Sequence, residues 1–380
     1  MEGEILQEDA LRSSIQFGRL FGISIGAHYS WFLIFILALW SLAEGYFPQE
    51  YPAWGRGAAW IAAAVTTVLF FGSVLVHELG HSLVALRNAV PVSSITLFIF
   101  GGLAQLKREP PTPGAEFRIA IAGPLASLGL AALFFGLGRL PLGETVQATG
   151  TYLSRINLIL AVFNMIPGFP LDGGRVLRSI LWKAAGSYRK ATRWASLTGQ
   201  GVAFLFILWG VSMLFSGNFL NGVWIAFIGW FLNNAAESSY RHVRLKEMLS
   251  SVQAGEVMSD GCPQVPPILT LDRLVQEYIL NSGRRCFFVS SGSGLLGMIT
   301  LHQVKEIPRE HWHEVTVGQA MTPASNLLST PPDQNLWAVL QKMDETDVNQ
   351  VPVIEAGNLL GVISRDHLLR YIRLRNELEV

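Results

Sequence analysis

Long uncharged stretches separated by short polar breaks fill the first two-thirds of the chain. Residues 20–43 carry no charge apart from a titratable His28, and residues 57–76 carry none. About 20 apolar residues in a helix cross roughly 30 Å of hydrocarbon. The pattern therefore predicts spans at 20–43, 57–86, 119–138 and 148–166, plus two within the uncharged stretch 195–236, broken at Ser216-Gly217-Asn218. Pro124 reads as a kink inside the third span rather than its end. Residues 91–105 (PVSSITLFIFGGLAQ) are too short to cross as a helix; rich in Ile, Thr and Phe and flanked by Pro91 and Gly101-Gly102, they predict a strand or hairpin. Residues 172–185 read as a short helix with Arg175, Arg178 and Lys183 among apolar positions.

Beyond residue 251 the pattern becomes that of a soluble domain and repeats itself. Val257-Met258 returns as Ala320-Met321, and Cys286-Phe-Phe-Val289 as Val351-Pro-Val-Ile354. Leu295-Leu-Gly-Met-Ile-Thr300 returns 64 residues later as Leu359-Leu-Gly-Val-Ile-Ser364. Each unit predicts helix, two short strands and helix. The expected organisation is a segment at 1–19, a six-span domain at 20–240, a linker at 241–250 and a repeat domain at 251–380, with repeats of about 251–315 and 316–380.

Charge orients the spans. With an even number of spans both termini face one side, and that side carries Arg12, Arg19, Arg87, Lys107, Arg108 and Arg118, then the basic run from Arg175 to Arg193, then Arg241, Arg244 and Lys246. The opposite loops offer Arg56, Arg139 and Arg155, so both termini are expected in the cytoplasm. Glu2, Glu4, Glu8 and Asp9 precede any apolar run, a poor signal peptide, so the first hydrophobic segment is expected to stay in the mature protein. Half the residues are hydrophobic, 15% are charged and the net charge is zero, which gives no basis for nucleic acid as a partner. The two cysteines, Cys262 and Cys286, are expected to form no disulfide, as in a reducing compartment.

The chemistry gathers at His77-Glu78-Leu79-Gly80-His81, at the end of the second uncharged run. On a helix His77 and His81 share a face, so both imidazoles can reach one zinc-type ion, and Glu78 sits about 100° round, where its carboxylate can accept a proton from water. Such residues beside a membrane-length run are costly without partners, roughly 2.5–3.5 kcal/mol for a charge at mid-bilayer. A hydrolytic zinc site wants a third protein ligand. Asp172 is the only aspartate between Asp9 and Asp260, and it follows a span that descends to the same side as the second. Its other reading is a helix N-cap. Glu109 and Glu116 flank a Pro-rich loop and read as solvated. His28 is open between a packing or hydrogen-bonding role and a place near the site.

His77-Glu78-Leu79-Gly80-His81 with Asn164-x-x-Pro167 and Leu171-Asp172-Gly173 resembles the site-2 protease family of intramembrane zinc metalloproteases, and the C-terminal repeats resemble tandem CBS modules. The resemblance covers nearly the whole chain after about Phe17 and points to the CBS-bearing prokaryotic subgroup. It implies a polytopic α-helical membrane protein with a membrane-associated β-element, plus an α/β tandem CBS-like regulatory domain. It implies one Zn2+ held by His77, His81 and Asp172, with Glu78 as general base and acid and Asn164 orienting the substrate carbonyl. The β-element, at Ile95, Leu97, Gly101 and Gly102, would hold an unwound substrate as an added strand. The substrate would be a transmembrane or membrane-anchored protein, cut near the cytoplasmic face of a prokaryotic inner membrane.

The CBS-like pair leaves two readings open. Adenosine nucleotide would use Thr300, Ser364 and Asp366, but the aspartate usual three residues after the Thr or Ser is Gln303 in one repeat and His367 in the other. The second reading is a dimerising or lid-like module without ligand, compatible with a homodimer. A different function class, a CBS-regulated channel or transporter with a structural metal site, predicts polar residues along several spans. Here they gather near the two motifs.

Overall fold

The computed structural model describes residues 14–378 apart from 100, 260, 261, 292, 293 and 357. The chain divides into two compact units, Met1–Arg241 and His242–Val380.

The first unit opens on strands β1 (Ser14–Leu20) and β2 (Ile23–His28), followed by helix α1 (Tyr29–Glu50). The expected first span at 20–43 is thus corrected: its opening residues form a strand, and the helix starts at Tyr29 and runs on to Glu50. A hydropathy window averages over Ile23-Ser-Ile-Gly-Ala-His28, whose two-residue alternation sends Ile23 and Ile25 into the core. His28 caps α1, its Nδ1 accepting from the Ser30 backbone N–H at 3.1 Å.

Helix α2 (Arg56–Arg87) follows, then β3 (Val92–Phe98), β4 (Gly101–Leu106), α3 (Pro113–Leu137), α4 (Glu144–Asn164), α5 (Asp172–Ala185), α6 (Tyr188–Phe215) and α7 (Phe219–Ser250). The break between α6 and α7 falls at 216–218, and α5 has the bounds expected for the short helix. Among the described residues four helices, α1, α2, α3 and α6, are long and apolar enough to cross a membrane. Pro124 lies inside α3 without ending it.

The strands form one sheet in the order β1-β2-β3-β4, with β2 and β3 parallel and the other pairs antiparallel. β3 is therefore an interior strand, and β4 is an edge. Ile95 is fully buried with Ile23, Val92 and Ile119, and Leu97 packs with Ala27 and Val74. These two residues, expected to contact substrate, are core residues instead, because their strand is paired on both sides.

Glu116 also departs from expectation. It is fully buried in the first turns of α3 and accepts from Nε of Arg178 on α5 at 2.6 Å and from Nη2 of the same residue. Reading it as solvated relied on the neighbouring prolines; a guanidinium from a distant helix supplies the counter-charge that burial demands.

In the second unit, β5 (Gln264–Val265), β6 (Cys286–Ser291), β7 (Gly294–Thr300) and β8 (Thr322–Pro323) form one sheet, and β9 (Gln350–Glu355) pairs with β10 (Asn358–Ser364) in another. The helical stretch α8 (271–282) precedes β6, and α9 (Leu301–Glu306) follows β7. The second repeat reproduces the pattern with α10 (Leu336–Thr346) before β9 and α11 (Arg365–Glu377) after β10. Each repeat has its own core, Leu271, Leu274, Phe287 and Ile299 in the first and Leu336, Met343, Val351 and Ile363 in the second. Cys262 and Cys286 were expected to be unpaired, but the structure joins them in a disulfide with Cα atoms 5.2 Å apart. Cys286 begins β6, and the neighbouring Phe288 N–H bonds Pro263 O at 2.9 Å, so parallel pairing carries Cys262 beside it.

Candidate metal centre

Helix α2 delivers the first two donors. The helix runs unbroken for 32 residues and ends with Arg87 in the last turn, where a cation suits the helix dipole. His77 and His81 lie one turn apart on its buried face, 4% and 5% exposed. Their Nε2 atoms are 3.2 Å apart. Asp172 Oδ2 lies 3.2 Å from His77 Nε2 and 3.0 Å from His81 Nε2.

Helix α3 fixes the other side of each ring. His81 Nδ1 lies 2.7 Å from the carbonyl of Ile119, an acceptor, so Nδ1 carries the proton and donates it. That bond turns Nε2 toward Asp172. His77 Nδ1 lies 2.9 Å from Ser127 Oγ. Such outer partners commonly orient metal-binding imidazoles and raise their basicity. Between Ile119 and Ser127 on the same helix lies Gly123. A Cβ there would run into His81 Nε2 and stand 2.7 Å from His77 Nε2.

Asp172 is not the helix cap. Leu171, in extended backbone, takes that position, and Asp172 is the first residue of α5, so its carboxylate is free to face the imidazoles. It can do so because Gly173 and Gly174 let the backbone of 165–169 press on the first turn; Cβ atoms would strike the carbonyls of Met165 and Ile166 and the backbone of Gly168. One atom from each of His77, His81 and Asp172 lies within 4.8 Å of the others. Two imidazole nitrogens and a carboxylate oxygen, buried with outer hydrogen bonds in place, are a donor set that suits zinc and leaves room for a fourth position. Gly123 keeps side-chain atoms out of that room.

Glu78 is half-buried on the adjacent face of α2. β4 passes directly over it: a Cβ on Gly102 would overlap Glu78 Cγ and stand 3.0 Å from Oε1. Gly101, at φ +133°, opens that strand in a conformation suited to glycine. Glu78 thus lies beside the sheet edge whose outer backbone groups no strand among the described residues pairs. Asn164 is the last residue of α4, half-buried; among the described residues no hydrogen bond ties it to the histidines or Asp172.

The residues singled out in the repeats come together only in part. Thr300 and Asp366 line a cavity of about 220 Å³ with Arg285, Lys305 and Arg365. Ser364 is not in its lining; its hydroxyl caps α11, accepting from the His367 N–H at 3.2 Å. Sequence reasoning missed Ser127, Gly123 and the Ile119 carbonyl. The signal for the first two was Gly123-x-x-x-Ser127, two small residues one turn apart in an otherwise apolar span; a backbone carbonyl leaves none.

Known proteins extend this picture. The sequence model of Peptidase family M50 matches residues 65–147 and 142–208, and that of the CBS domain matches residues 317–374. A relative from Synechocystis sp. is 36% identical over 370 residues, 96% of each chain. A zinc metalloprotease of Methanocaldococcus jannaschii is 31% identical over 383 residues, covering 96% of this chain and 99% of its own. The solved site-2 protease from that organism is 31% identical and covers 60% of this chain and 95% of its own, with a TM-score of 0.42.

Gly123→Ala tests the close approach of α3 to the two imidazoles. The added methyl has to displace both imidazoles, so bound zinc in the purified chain should fall to well under one equivalent while the helical content stays unchanged; full stoichiometry would show that Gly123 does not border the centre.

Proposed function

The chain belongs to Peptidase family M50, the site-2 proteases, and on that premise we propose that it hydrolyses peptide bonds of membrane-spanning or membrane-anchored proteins within the bilayer, near its cytoplasmic face. It is a zinc metalloprotease with a CBS domain at its C-terminal end. The supporting observation is the convergence of His77, His81 and Asp172 next to Glu78 and beneath the free edge of β4.

His77 Nε2, His81 Nε2 and Asp172 Oδ2 would hold the ion. When bound, zinc supplies a Lewis acid that polarises a carbonyl and brings the pKa of water to about 7. Ser127 and the Ile119 carbonyl keep the rings turned inward. Glu78 takes the proton from the attacking water and passes it to the departing amine. Asn164 donates its amide N–H to the carbonyl oxygen of the scissile bond. A transmembrane helix has its peptide groups bonded internally and must unwind to be cut. The edge of β4 offers replacement partners, and Gly101 and Gly102 let the added strand approach Glu78.

The proposal includes six spans. Besides the four apolar helices, α4 and the apolar half of α7 would cross. Asn157 in α4 is 1% exposed and bonds Leu153 O at 2.8 Å and Ser73 Oγ at 3.3 Å, so this polar group faces the bundle and spares the lipid. Both termini would lie in the cytoplasm of a prokaryote, with the protein in its inner membrane and a homodimer formed through the CBS-like unit.

The cavity at Thr300 and Asp366 supports a second assignment, an adenosine nucleotide whose phosphates meet Arg285, Lys305 and Arg365. Titration calorimetry of the full chain in nanodiscs with AMP, ADP and ATP should give saturable heat; no heat with any of the three favours the ligand-free regulatory reading.

In proteoliposomes, Glu78→Gln should keep one zinc per chain and cut a membrane-anchored reporter at least about a hundredfold more slowly. Asp172→Ala should lose zinc as well as activity. Wild-type cleavage by Glu78→Gln would remove the proposed base and with it the mechanism.

A further inference from the structure

Arg178 takes no part in the mechanism above, yet its surroundings are unusual for an arginine. It is 8% exposed, six residues after Asp172 on α5. Its Nε and Nη2 both donate to Glu116 Oε1, and its guanidinium carbon lies 4.8 Å from the ring centre of Phe169 and 4.6 Å from that of Tyr188. One cation therefore joins α5 to the first turns of α3, to the segment 165–171 and to the start of α6. The other carboxylate oxygen, Glu116 Oε2, is buried without a hydrogen-bond partner among the described residues.

A buried ion pair with an unpaired oxygen is a poor source of stability, since desolvation consumes much of the attraction; apolar residues of equal volume often hold a fold as well. What such a pair supplies is direction. A guanidinium held by a carboxylate in its plane and by rings on its faces fixes both the rotation and the axial position of its helix, which apolar contact leaves looser.

Apart from α6, the segments it joins are those that build the metal centre. α3 holds both imidazoles through Ile119 and Ser127, and Glu116 lies one turn before Ile119 on the same buried stripe. Phe169 stands three residues before Asp172, and Asp172 begins α5. A slip of α5 by one residue would move the carboxylate about 1.5 Å, whereas metal–ligand distances tolerate about 0.2 Å.

We propose that the Arg178–Glu116 pair is a positioning device: it sets the register of α5 on α3 and so places the Asp172 carboxylate at the two imidazoles. Arg178 and Glu116 act through Asp172 and touch neither substrate nor metal. The assignment rests on the ligand set proposed above.

The test uses the full chain in detergent with Co2+ as the probe, reading its visible d–d spectrum, its affinity by chelator competition, and the thermal midpoint. Arg178→Met and Glu116→Gln should weaken Co2+ binding about tenfold or more and alter the spectrum at temperatures where they are fully folded. Arg178→Lys, which keeps the charge but loses the fork and the stacked plane, should fall between. Thr66→Val, which removes a buried hydrogen bond to Thr149 elsewhere in the same unit, should lower the midpoint and leave affinity and spectrum unchanged. Folded Arg178→Met or Glu116→Gln with wild-type affinity and spectrum overturns the proposal, whatever their midpoints; if Arg178→Met does not fold, Arg178→Lys and Glu116→Gln decide it in the same way. Should the wild-type chain bind no Co2+, or His81→Ala bind it normally, the ligand set itself is wrong and the positioning device falls with it.

Discussion

Two imidazole nitrogens and a carboxylate oxygen face one another inside a bundle built mainly of apolar side chains, and most of the first unit is arranged to make that tolerable. His81 Nδ1 donates to the Ile119 carbonyl, which turns its Nε2 toward Asp172 Oδ2, 3.0 Å away. Inward-facing acceptors at that distance repel one another unless a proton or a cation lies between them. The proposed zinc ion is the balancing charge. Backbone must also come close enough to shape the space, which accounts for Gly123 against the imidazoles and Gly173 and Gly174 against the loop before α5.

The same constraint links the sheet to the helices. β2 and β3 pair in parallel across the intervening α1 and α2, and β4 is held at the margin, over Glu78. In the proposed reaction this arrangement puts Glu78, as proton acceptor, beside the edge on which an unwound substrate would lie. The buried contact of Arg178 with Glu116, Phe169 and Tyr188 belongs to this framework. It lies where α3, α5 and α6 meet and brings no group of its own to the chemistry.

What the sequence disclosed follows from the range of the interactions. Four helix-length apolar runs (the first apart from its start), the break at 216–218 and the spacing of His77, Glu78 and His81 are local, and these were legible. Asp172 could be proposed because aspartate is so scarce in that region. The strand at Ile23–His28 was not legible to a hydropathy window, since a half-buried strand and the start of a span are equally apolar on average. Ile95 and Leu97 were misread because strand order, which makes β3 interior, is set by pairing with a segment some 70 residues earlier. Glu116 was misread for a similar reason: its partner is 62 residues away. The pairing of Cys262 with Cys286 depends on the parallel approach of β5 and β6, which composition does not report.

Zinc K-edge X-ray absorption on the purified full chain reads the identity of the three protein ligands. One zinc per chain is expected in a shell of nitrogen and oxygen at about 2.0–2.1 Å, with outer-shell scattering from two imidazoles and none from sulfur. A sulfur shell, a single imidazole, or a chain that holds no zinc would contradict it.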